Sequence, residues 1–178
     1  MKLTNPEKLI LIMLGEIYEK LGINENSEID PKFIADAIYT DNTWALDWKY
    51  VGILSDNSEQ DPPEVSEVVN YLDMWSFIER AYEKLDVASK KLIKDDTSII
   101  QVKFTGFDGN NETEYMSIAK FLINQLDRFG EFKDRELNSH LPMIGRYRRM
   151  YSIFEPIRRV LYDRNLTVVE LQSILKLN

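Results

Sequence analysis

Three arginines within four positions, Arg146, Arg148 and Arg149, form the densest group of chemically capable side chains in the chain. Guanidinium forks bind carboxylate and phosphate bidentately, so this cluster is a candidate anion site. Arg128, His140 and Tyr147 complete the candidate ligand-binding set. The spacing limits the idea. On an ideal helix Arg146 and Arg149 lie about 60° apart, while Arg148 is about 160° from Arg146. The three cannot converge on one small anion without cations from elsewhere, such as Arg128, Arg158 or Arg159. The simpler role for these arginines is structural pairing with carboxylates of the N-terminal half, a common way to fix helix packing or subunit contacts.

His140 is the sole histidine and follows Ser139 directly. Imidazole can take a hydroxyl proton in nucleophilic catalysis, and Asp108 or Glu112 would be the assisting carboxylate of a hydrolase. Adjacent residues seldom face one another, however, and the chain has no G-x-S-x-G elbow. The alternative is that Asn138, Ser139 or His140 caps a helix begun by Pro142. Zinc would need carboxylates for all its remaining ligands, because there is no cysteine. A calcium loop at Asp108, Asn110 and Glu112 fails as well. Thr113 stands where the turn glycine belongs, and Ala119 where the bidentate glutamate belongs. The Gly106–Gly109 turn is expected to be structural, with Asp108 or a neighbour capping the next helix. No catalytic residue, metal or cofactor is assigned.

Composition narrows the partners. Residues 1–100 carry 10 Lys+Arg against 20 Asp+Glu, and residues 101–178 carry 12 against 10. An acidic chain repels a phosphate backbone unless its cations gather on one surface, so nucleic acid is disfavoured. Residues 33–51 have helix–turn–helix proportions but lack the turn glycine and basic side chains of a DNA reader. Trp44, Trp48 and Tyr50, on a short polar-flanked element, are candidate partner-surface residues. No apolar run approaches a membrane span, and no cleavage site follows Leu9–Leu14, so a cytoplasmic location is expected.

The positioning elements read as helices. Asn5–Leu21 repeats apolar residues at helical spacing and stops at Gly22. Asp30-Pro31 opens a second helix, and Trp44–Tyr50 makes one or two helical turns. Ser55–Pro63 is a surface loop. Glu64 to about Leu85 is the longest periodic segment, reaching towards Lys94, and is apolar on most sides, as a helix buried within a bundle would be. Glu112–Leu126 is helical. A helix from Pro142 carries the stripe Met143, Tyr147, Met150 and Phe154. Thr167 and Glu170 form a capping box before the last helix. Ser98–Phe104 is the one β-type run, read as an extended connector or a single short strand. These elements define one all-α domain over residues 1–178, with about six to eight helices and at most one short extended segment near 98–104.

The phrases Phe104–Asp108, Glu112 with Tyr115, Arg128–Phe132, Asn138–Met143 and Tyr147–Met150 resemble, in that order, those of the YfbU family. The likeness runs nearly end to end, with departures clustered in Gly22–Asp61. It implies an α-helical bacterial protein and brings no established activity. Fusion of some members to helix–turn–helix domains implies a ligand-sensing or partner-binding module. The expected function is therefore a non-enzymatic ligand- or protein-binding module, forming a homo-oligomer and taking a small anionic ligand or a protein partner. A nucleic-acid-associated regulator is the first alternative and the His140 hydrolase the second.

Overall fold

Helix-capping residues and proline placement set most of the element boundaries. The computed structural model describes residues 2–23, 28–54 and 60–176. Among them eight α-helices occur in chain order: α1 Asn5–Lys20, α2 Pro31–Tyr39, α3 Trp44–Lys49, α4 Pro63–Lys84, α5 Val87–Lys94, α6 Thr113–Asn124, α7 Ile144–Arg159 and α8 Val168–Leu175. Asp30 accepts from the Phe33 amide to start α2. Asp86 accepts from Ser89 and starts α5, so the long periodic segment is two helices broken at Leu85. Thr167 and Glu170 form the expected capping box of α8.

No sheet is present among the described residues, and Ser98–Phe104 is not a strand. A lone β-type run has no partner strand here, and its last amide, on Phe104, donates to the Glu79 carboxylate at 2.7 Å instead. The expected loop from Ser55 lies largely outside the described residues, which resume at Gln60.

α4 runs through the centre and packs on α6 and α7, while α8 packs on α7 and α5. Tyr71, Leu72, Met74, Trp75 and Ile78 of α4 are all buried. Tyr147 of α7 sits among four rings, with centroids 5.6–5.8 Å away on Tyr71, Trp75, Phe104 and Phe107. Burying several aromatic rings at these separations supplies much of the drive for folding. The segment carrying Phe104 and Phe107 is pinned by two backbone bonds, Phe107 N–H to Leu137 O and Ser139 N–H to Phe107 O, both 3.0 Å. That approach requires glycine beside it. Gly106 has φ +85°, and a Cβ there would lie 1.9 Å from the Leu137 carbonyl oxygen. At the other end, α2 and α3 join the core through Phe33 and Trp44, whose rings meet Phe121 of α6.

A cationic cleft between α7 and α8

The arginines of the C-terminal half divide into two groups. Arg148 donates to both Glu67 oxygens at 3.0–3.1 Å, joined there by the Tyr115 and Tyr71 hydroxyls. Burial opposes ionisation of Glu67, but the Arg148 guanidinium and the two hydroxyls outweigh it and hold the carboxyl below its ordinary range. Burial, and then the Glu67 carboxylate that its hydroxyl donates to, push the Tyr115 phenol up to about 12 against the opposing charge of Arg148. Arg158 pairs with Asp73 at 2.6 Å, and Arg135 forks onto Glu79 with both bonds at 2.9 Å. Glu67, Asp73 and Glu79 all lie on α4, so three arginines clamp the acidic central helix to its neighbours. Much of the charge asymmetry is therefore structural.

Arg146 and Arg149 behave differently. They share a cleft of about 210 Å³ with Met150, Ser152 and Ile153 of α7 and with Ile174 and Lys176 at the end of α8. Arg146 Nε and Nη2 are buried and hydrogen-bonded to nothing among the described residues. The other buried side-chain atoms in that condition belong to neutral groups, Trp75 Nε1 and Tyr82 Oη. Burial, and secondarily the charge of Arg149, pulls the Arg146 guanidinium below its usual range, against the opposing effect of Tyr147. Arginine stays charged all the same. Lys176 on the rim is already paired with Asp96 at 3.3 Å. The cleft thus combines the guanidinium groups of Arg146 and Arg149 with the apolar side chains of Met150, Ile153 and Ile174.

The remaining candidate residues lie elsewhere. Tyr147 is fully buried and its hydroxyl donates to Gly106 O at 2.9 Å, so it belongs to the core and faces no ligand. Arg128 stacks on Trp48, 4.6 Å from the ring centroid, and the Trp48 indole N–H donates to Asp61 at 2.9 Å. Trp44 and Tyr50 are buried rather than displayed to a partner. Trp44 donates to Asn42, and the Tyr50 hydroxyl accepts from the Asp30 amide. Phe33, Ala37, Ala45 and Leu46 are buried with them, so the core-facing sides of residues 33–51 are committed to packing.

His140 sits on an exposed turn with φ +56°, away from the cleft-lining set. The hydrolase arrangement is not assembled. Ser139 Oγ donates to the Leu141 carbonyl at 2.6 Å, and no hydrogen bond joins the His140 ring to Asp108 or Glu112 among the described residues. Asp108 accepts from the Asn110 amide and the Asn111 side chain, which hold its carboxyl below its ordinary range. It shapes the turn instead of capping α6.

Glu112 has a role that chain position gave no sign of. Its Oε1 accepts from the Met143 and Ile144 amides at 2.7 and 2.8 Å, and its Oε2 from the Asp108 amide at 3.0 Å. It caps α7 from 31 residues away, where Asn138, Ser139 or His140 was expected to do so locally. Asn138 instead accepts from the Gly109 and His140 amides and ties the two turns together. Ser152 and Lys176 were also missed. The spacing of Arg146, Arg149 and Ile153 marks one flank of α7 in the sequence, but α8 gives no local sign of its place beside them.

Residues 1–177 match the YfbU domain, and the chain belongs to that family. The UPF0304 protein MJECS11 of Methanocaldococcus jannaschii is 31% identical over 101 residues, an alignment that spans 54% of this chain and 58% of that protein. No described helix is long and apolar enough to cross a membrane. No cluster of three or more His, Cys, Asp or Glu suited to a metal ion occurs among the described residues.

Proposed function

We propose that the protein is a non-enzymatic binding module whose α7–α8 cleft takes a small anion carrying a short apolar group. The observation that carries this reading is the Arg146 guanidinium, with two buried nitrogens and no protein acceptor among the described residues, beside Arg149. An unsatisfied buried charged donor costs more than a neutral one, and an oxyanion at hydrogen-bond distance removes that cost. A carboxylate or phosphate group suits the two guanidinium forks, while the Ser152 hydroxyl already donates to the Arg149 carbonyl at 2.7 Å. Met150, Ile153 and Ile174 suit a few carbon atoms of ligand, and a cleft of about 210 Å³ sets the size.

The test is thermal unfolding at low salt against inorganic phosphate, short mono- and dicarboxylates, nucleotides and short nucleic acids. A ligand at a hundredfold its dissociation constant adds about 2.7 kcal/mol. For 178 residues this raises Tm by about 7 °C, taking ~2.1 cal/mol/K of unfolding entropy per residue. The expected shift is confined to small anions and is lost in Arg146→Met and in Arg149→Met. A flat panel, or a shift that survives both substitutions, overturns the reading.

A further inference from the structure

α1 carries an apolar face that no described part of the chain covers. Leu9, Ile10, Met13, Leu14, Ile17 and Leu21 are each 51–66% exposed. At 100° per residue they fall within one arc of about 140°, and Lys20, near its edge, is the only charged residue of α1 inside it. The opposite side holds the half-buried Leu11, Ile12 and Tyr18, with Gly15 against Pro31 of α2. α1 has 16 residues and packs on α2, and most of its apolar surface is left uncovered by the described residues. Where α1 meets α2 and α3, a wholly apolar groove of about 300 Å³ is lined by Leu11, Ile34, Leu46, Tyr50 and Ile53.

We propose that this face is the interface between two copies of the chain, paired isologously so that the α1 ridge of each packs against the ridge and groove of the other. Three observations select a second copy as the occupant. The six α1 residues and Ile53 together expose about as much surface as four free aliphatic residues, on the order of 800 Å², which matches the ~800 Å² that one partner gives to a stable interface. A straight apolar helix face can pack against the same face of a second copy about a two-fold axis, so the patch is self-complementary, as an isologous interface requires. A lipid surface fits poorly. α1 bears Glu7, Glu16 and Glu19 against Lys8 and Lys20, where an interfacial helix carries an excess of Lys and Arg, and the surrounding N-terminal half is acidic.

The experiment is sedimentation velocity on the full chain and on the double variant Met13→Glu/Ile17→Glu, with far-ultraviolet circular dichroism to follow the fold. Both side chains are exposed in a single copy, so the variant keeps its helices. The expected result is a dimer for the parent chain and a folded monomer for the variant. The chain has no cysteine, so Met13→Cys supplies a second readout, since in an antiparallel pairing centred on the stripe Met13 comes within about one turn of its own copy. Mild oxidation should link Met13→Cys into dimers and leave Val169→Cys, on the exposed side of α8, unlinked. A monomeric parent chain, a double variant that stays dimeric, or a failure of Met13→Cys to cross-link overturns the proposal. A monomeric parent that floats with anionic phospholipid vesicles overturns it in favour of a membrane surface.

Discussion

Replacing Arg146 with methionine should stabilise the protein in the absence of ligand, an unusual direction for a substitution at a half-buried position. Methionine keeps the length and packing of the arginine stem and has nearly the same helix propensity. It removes the two buried unpartnered nitrogens and the repulsion from Arg149. A buried unsatisfied donor costs about 1–3 kcal/mol, and part of the gain is lost because methionine fills the cleft imperfectly. A net gain of about 1–2 kcal/mol follows, or about 3–5 °C in Tm for a chain of 178 residues. Arg148→Met is the internal control. It stands two positions along the same helix but forks onto Glu67 and touches the Tyr115 hydroxyl. Arg148 is more than half exposed, so solvent screening keeps that loss small without reversing its sign. The two variants should therefore move Tm in opposite directions in differential scanning calorimetry. If Arg146→Met lowers Tm as Arg148→Met does, the Arg146 guanidinium is satisfied in the folded protein, and the argument for an anion cleft fails with it.

Two further outcomes follow from the geometry. Glu112→Gln leaves one acceptor oxygen where three backbone amides now donate, so it should cost about 2–3 kcal/mol and lower Tm by about 5–8 °C; an unchanged Tm would show that α7 starts without this cap. Glu170, forked by Arg164 and bonded to Thr167, has its pKa lowered to about 2. A depressed carboxyl stabilises the fold above the unfolded value near 4.5 and loses that contribution as pH falls from there towards 2. Because the pair is partly exposed, the loss is about 1 kcal/mol, and Glu170→Gln should flatten the acid limb of a urea-midpoint-against-pH curve by that amount. Parallel curves for the two proteins would contradict the assignment.

The sequence by itself determined the helical elements. Asp30-Pro31, and the capping box of Thr167 and Glu170, mark helix starts because a cap needs only three or four neighbouring residues. The buried character of α4 was legible in apolar residues on most of its sides, and the aromatic phrases from Phe104 onward carried the family likeness. Tertiary structure decided everything that depends on which helix lies beside which. Arg148 finds Glu67 across 81 residues and Glu112 caps α7 across 31, while Arg146, one turn along α7 from Met150, meets the end of α8 and no carboxylate among the described residues. Helical spacing separated Arg148 from Arg146 and Arg149, yet it gave no reason for Arg148 to find a carboxylate where the other two find none among the described residues. The same limit hid the apolar face of α1. Its periodicity predicts a helix with a buried stripe, and only the packing shows that the stripe points away from its own core. Periodicity is a property of one segment, whereas burial and pairing are properties of two.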